Sequence, residues 1–153
     1  MKSNIITQKS EIEEVINHCE VCYMSMVDEK GLPYNLPFNF AYEDNVIYLH
    51  SAPFGKKIDI LKAKPDVCIV FSTAHQLHHH DVEVACSYSM KFKSVIVYGK
   101  VEFIEDIAEK TIWMNKIMQK YTSRDFSYSL PAITNVACFK VVFEKVSGKK
   151  RGY

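Results

Sequence analysis

Residues 21–51 read VCYMSMVDEKGLPYNLPFNFAYEDNVIYLHS, and the period of this stretch decides the fold. Val21 to Val27 has the composition and alternation of a strand. Asp28-Glu29-Lys30-Gly31 is a turn ending in the glycine that tight hairpins favour. Leu32 to Tyr42 then alternates Leu36, Phe38 and Phe40 on one face with Asn35, Pro37 and Asn39 on the other. Glu43-Asp44-Asn45 reverses the chain, and Val46 to Ser51 forms the next strand. Three strands joined by short turns predict an antiparallel meander, because a parallel pair needs a long crossover.

Outward from this core the pattern changes to helical. Ser10 and Glu13 have the spacing of a capping box, which predicts a helix over Glu11–Cys19 with Ile12, Val15 and Ile16 inward. Lys56 to Lys64 is a second short helix, stopped by Pro65. Asp66 to Ser72 is an apolar strand, 74–83 a polar loop, and Val84 to Tyr88 a short extended piece. Phe92 to Ile104 is the longest predicted strand, with Gly99 as a bulge or a point of close approach. Glu105 to Tyr121 is a helix with acids early and lysines late, as the helix dipole favours. Ser123 to Thr134 reads as loop and Asn135 to Val146 as a last alternating strand. The order predicts a mainly β chain with flanking helices, one domain over residues 1–153, closing into a barrel.

Composition narrows the function classes. Nineteen basic and eighteen acidic residues give a net charge of +1, too little for a general nucleic-acid-binding field. No apolar stretch approaches the ~20 residues of a membrane-spanning helix, and the N-terminus has no apolar signal core. Five cysteines, an odd number set mostly in apolar runs, read as reduced thiols of a cytoplasmic protein.

The chemistry concentrates in Tyr48-Leu49-His50-Ser51-Ala52-Pro53-Phe54-Gly55-Lys56-Lys57. A strand ends in His50-Ser51, and Gly55 opens a helix whose first residues are Lys56 and Lys57. A helix start exposes unpaired N–H groups and partial positive charge. Two lysines there oppose the dipole, which a bound dianion would reverse. The same pattern also suits a solvated basic turn leading into a surface helix.

Three other clusters have residue types that carry chemistry or charge. His75, His78, His79 and His80 could ligate a metal if helical, but lack a neighbouring cysteine, so the expectation is a solvated loop and no metal. Cys19 and Cys22 have redox spacing at a helix end, where the dipole has the wrong sign to activate a thiolate. Trp113, Met114, Ile117 and Met118 form a packing stripe, and Lys149-Lys150-Arg151 reads as a solvated tail.

The runs Gly31–Tyr34, Pro37–Phe40, Tyr48–Ala52, Gly55–Lys57 and Ser94–Lys100 together resemble the pyridoxamine-phosphate-oxidase-like split-barrel superfamily. Within it they are most similar to the nitroimidazole-resistance (Nim-type) flavin-binding proteins. The resemblance implies an FMN-binding split β-barrel, homodimeric, with FAD as the alternative cofactor. It implies that Ser51, Lys56 and Lys57 hold the phosphate after Gly55, and that Phe38, Asn39 and Phe40 run beside the flavin ring. Ser94 and Val95 would lie near the phosphate and ribityl chain, and His50 would line the pocket as the catalytic candidate. The implied partners are small-molecule electron donors and acceptors, with no nucleic acid and no membrane. The chain ends without the Arg- and His-bearing motif of true pyridoxamine phosphate oxidases, which argues against a vitamin B6 substrate. A non-catalytic flavin- or haem-binding module is the alternative reading.

Overall fold

The computed structural model describes residues 2–153. In chain order its elements are β1 (Ser3–Ile6), α1 (Lys9–His18), β2 (Cys22–Val27), β3 (Pro33–Phe38), β4 (Phe40–Glu43) and β5 (Val46–Ser51). These are followed by α2 (Lys56–Ala63), β6 (Asp66–His78), β7 (Ser89–Ile104), α3 (Ile107–Thr122), α4 (Leu130–Thr134) and β8 (Ala137–Arg151). Every strand pairing is antiparallel.

The two pairings of the expected meander are present, β2 with β3 and β4 with β5, within a strand order of β3-β2-β6-β7-β8-β5-β4 with β1 also on β8. The single strand foreseen over Leu32–Tyr42 is two strands that lie at opposite ends of this path. Asn39 alone joins them, so the chain itself bridges the two edges of a rolled sheet. The physical cause is visible in the side chains. Pro33 and Pro37 lack a donor and suit an edge strand paired only with β2. Alternation then fails at Phe40-Ala41, both buried, so the chain leaves one sheet edge and starts the other.

The interior is filled from both halves. Met24, Ile69, Phe71, Val95, Val97, Phe139 and Val141 are all fully buried, and Phe40 meets Phe71 edge-on with centroids 5.0 Å apart. Burying each such large side chain contributes roughly 1.5–3 kcal/mol. The C-terminal turn of α3 fastens the split: Tyr121 donates to the Glu20 carbonyl (2.6 Å) and accepts from the Phe40 N–H (3.0 Å). Lys120 Nζ donates to the Cys19 carbonyl at 2.7 Å and sits 3.2 Å from the Phe40 ring centroid.

Other differences from the sequence reading have local causes. Gln8, not Ser10, occupies the N-cap position of α1, and its side chain makes no capping hydrogen bond. The helix starts where β1 ends, and Glu13 instead accepts from the Tyr42 hydroxyl at 3.0 Å. β6 runs on to His78, past an irregularity at Thr73–Gln76, so residues 74–78 are strand and not loop. Residues 85–87 form a 3₁₀ turn in place of an extended piece, and α4 occupies the end of the expected 123–134 loop. Lys149–Arg151 is not a solvated tail. It closes β8 against β1 and β7, with Lys150 bound to both Glu11 carboxylate oxygens at 2.9 Å.

Among the described residues, no helix is long and apolar enough to cross a membrane.

Candidate functional site

β5 delivers His50 and Ser51 to the end of the barrel, and the Ala52–Phe54 loop carries the chain to Gly55. Gly55 caps α2 at φ 103°, ψ 171°, a backbone state that a residue with a Cβ rarely adopts. Its carbonyl accepts from Ile58 (2.9 Å) and Asp59 (3.2 Å), which leaves the first N–H groups of α2 turned outward.

His50 is the most informative group. Its Nδ1 is buried and has no hydrogen-bond partner, a costly state for a polar atom. Burial, reinforced by the Lys57 ammonium, pushes the imidazole below its ordinary value of 6.5, so the ring is neutral at pH 7. Lys57 is half-buried and lies 6.0 Å from the Phe38 ring centroid. Lys56 points elsewhere, 4.6 Å from the Tyr34 ring and 3.6 Å from Asp28 Oδ2. Tyr34 and Phe38 are four residues apart on β3, roughly 13 Å along a strand, so the two ammonium groups diverge. Ser51 Oγ donates to the Ala52 carbonyl at 2.8 Å.

The remaining predicted residues divide. Asn39 is exposed at the join between the sheet edges, next to the Phe38 and Phe40 backbone. The Phe38 and Phe40 side chains point into the core, and the Phe40 N–H is already held by Tyr121. Val95 is 0 % exposed, so its side chain serves the barrel interior. Ser94 lines a separate groove of about 380 Å³ with Asn4, Ile5, Ser147 and Lys149. β2 and β6 stand between β7 and β3, so Ser94 lies three strand spacings, roughly 14 Å around the sheet, from β3. One chain therefore gathers Asn39, His50, Ser51, Gly55 and Lys57, and holds Ser94 apart.

Cavities of about 590 and 550 Å³ lie along α3 and beside the Asp28–Leu32 turn, and neither includes His50. The buried, unpartnered imidazole beside a basic helix start weighs more than cavity size, because a polar orphan calls for a partner and an open groove does not. Among the described residues, no three His, Cys, Asp or Glu side chains converge to hold a metal. His75 is bonded to Ser72 (2.8 Å), His78 packs on His80, and His79 packs on Tyr88. Cys19 and Cys22 are buried, and burial pushes the Cys22 thiol up to about 12.

Two groups have roles that the sequence reading did not assign. Asp28 gathers the N–H groups of Lys30 (3.0 Å) and Leu32 (2.9 Å), and its carboxyl is held below the usual range chiefly by the Leu32 bond. Its Asp-x-x-Gly turn spacing was a legible signal. Lys120 carried none, since its partner carbonyl is 101 residues away in sequence. Burial lowers its ammonium to about 8 from 10.5. Between those values the unfolded chain binds a proton that the folded chain releases, so stability gains from Lys120 as pH rises across the window. The melting difference between wild type and Lys120→Met should therefore shift in favour of wild type from pH 8 to pH 10 (scanning calorimetry at several pH values checks this). A pH-independent difference would contradict it.

A family model described as pyridoxamine 5'-phosphate oxidase matches residues 8–150. A search of curated proteins finds no match. Among solved structures, the chain is similar to a protein of Bacteroides thetaiotaomicron described as a 5-nitroimidazole antibiotic resistance candidate. The two are 44 % identical, with a TM-score of 0.87 over 97 % of this chain and 87 % of that one. An FAD and heme binding protein from Mycobacterium smegmatis shares the fold, at 11 % identity and TM-score 0.85, over 100 % of this chain and 75 % of that one. An FAD-binding protein from Mesorhizobium loti does so too, at 24 % identity and TM-score 0.71, over 99 % of this chain and 100 % of that one.

Proposed function

The chain belongs to the pyridoxamine 5'-phosphate oxidase family, and from that premise we propose that it is a cytoplasmic, homodimeric FMN-dependent oxidoreductase. The electron donor in this reading is NAD(P)H and the acceptor a small molecule such as a nitroimidazole. The flavin supplies the redox chemistry, and the protein supplies binding, orientation and electrostatic tuning. The observation that carries the reading is the buried, unpartnered Nδ1 of His50 beside Lys57 and the opening of α2.

The residues present fit the cofactor. Lys57, Ser51 and the first N–H groups of α2 suit a phosphate, and the Asn39 corner offers backbone groups to a flat polar ring. Lys56 joins them by releasing Asp28, an ion pair with an exposed lysine and therefore a weak one. A second copy of the chain brings its Ser94 groove to the site that the first chain leaves incomplete. The outer sheet face supports that pairing: Tyr23 and Tyr98 are exposed there, with Val70 and Ile96 half-buried between them.

Burial and the Lys57 ammonium hold His50 below the ordinary imidazole value, so its resting ring is uncharged at neutral pH and can accept a proton or orient an acceptor. Turnover of NAD(P)H with a nitroimidazole acceptor should fall about 100-fold in His50→Ala while flavin stays bound, the scale of a lost acid–base group. The wild-type rate should decline only at a pH lower than the one at which an ordinary imidazole titrates. Unchanged turnover in the variant would remove His50 from the reaction. A coloured protein that consumes no NAD(P)H would replace the enzyme with a storage or sensing module.

A further inference from the structure

Lys110 is the one charged side chain that is more than nine-tenths buried among the described residues, at 8 % exposure. Lys93, Lys116, Lys140 and Lys150 are all less enclosed, and each holds a carboxylate. Lys110 has no carboxylate within ion-pair distance among the described residues, and its Nζ donates to the Val136 carbonyl at 3.0 Å. An ammonium has three donors, and one carbonyl partner leaves two of them open to an anion.

The same side chain faces a cavity of about 140 Å³ between α2, the start of α3, and β8. Ile58, Phe103 and Ile104 supply apolar walls, and Lys62 stands at the rim with its Nζ 5.9 Å from the Phe103 ring. Glu105 also lines the rim but pairs with neither lysine. The volume exceeds that of a single water and falls well below the ~300–1,000 Å³ of sites for drug-sized ligands. The occupant is thus an anion of a few heavy atoms with one apolar end.

We propose that this cavity is a binding site for a short-chain monocarboxylate, with Lys110 as its anchor. The carboxylate takes the free donors of Lys110, and the short alkyl chain lies on Ile58, Phe103 and Ile104. Lys62 draws the anion in from solvent and contributes less once it is bound. The site is distinct from the flavin position and does not depend on that reading, although Pro53 of the preceding loop forms part of its wall.

The test is isothermal titration of the purified protein, carrying whatever cofactor it retains, with butyrate at fixed pH and ionic strength. Saturable binding of one butyrate per chain is expected, weakened at least tenfold in Lys110→Met and less in Lys62→Met. Lys110 also tethers Val136, so Lys110→Met could fail to fold. Ala137→Val keeps the lysine and fills the cavity, and it should block butyrate by itself. Absence of saturable binding in wild type, or binding that survives in Ala137→Val, overturns the site. Inorganic phosphate or octanoate binding as tightly as butyrate overturns the assignment to a short monocarboxylate.

Discussion

Replacing Lys56 and Lys57 together by alanine is expected to give a folded protein that purifies without flavin and does not take it up on incubation. Hydrogen bonds to a charged partner are worth about 1.5–3 kcal/mol each, so losing two of them costs at least 100-fold in affinity. The two lysines are not equal. Lys57 faces the Phe38 ring at 6.0 Å and acts electrostatically on His50, whereas Lys56 is drawn to Asp28 and Tyr34. Lys57→Ala alone should therefore lose more flavin than Lys56→Ala, measured as the absorbance ratio of bound flavin to protein. The fold should survive in both, because Lys56 is exposed and its ion pair with Asp28 is a weak surface one. A double variant that retains flavin at the wild-type ratio would sink the phosphate assignment.

The second large effect concerns the barrel. Gly99→Ala should lower stability by about 3 kcal/mol, or roughly 10 °C in melting temperature. A Cβ at this position would lie 2.4 Å from the Val142 carbonyl oxygen and 2.8 Å from Val141 Cγ1. The first is backbone on the paired strand β8, so relief requires shifting the ladder at the point where the β7–β8 register already slips. Chemical denaturation with circular dichroism reads the loss directly. A melting temperature within a degree or two of wild type would mean that the β7–β8 ladder yields to the added methyl group.

Gly99 also shows how far the sequence could be read. A glycine inside a strong strand pattern signals a bulge or a close approach, and the structure has both. The Val142 carbonyl that it approaches was not visible, because the register of β8 on β7, which pairs Gly99 with Phe143, is set over a long sequence separation. The same division runs through the fold. Local period and turn chemistry placed β2, β5, α2 and α3 within a few residues of their ends. They did not show that β3 and β4 part company at Asn39, since strand order depends on which edges meet in three dimensions. The prolines at 33 and 37 were the available hint. β1 and the far end of β8 were missed because Ser3–Ile6 is short and becomes a strand only by pairing with residues near the C-terminus.

The candidate site was legible in its core and not in its extent. His50, Ser51, Gly55 and Lys57 follow one another along the chain, so a local pattern could expose them. The divergence of Lys56 toward Asp28, the inward turn of Val95, and the tie from Tyr121 to Phe40 depend on tertiary contacts that no spacing encodes. Lys110 was read only as one residue of a helix, and its burial without an acid emerges from packing alone.

The central claim is that flavin binds where β5 gives way to α2, and the absorption spectrum of freshly purified protein tests it most directly. The expected result is a yellow protein whose released cofactor has the mass of FMN and whose colour is lost in the Lys56→Ala/Lys57→Ala variant. Protein that is colourless as isolated, and that remains so after incubation with FMN and with FAD, would contradict it.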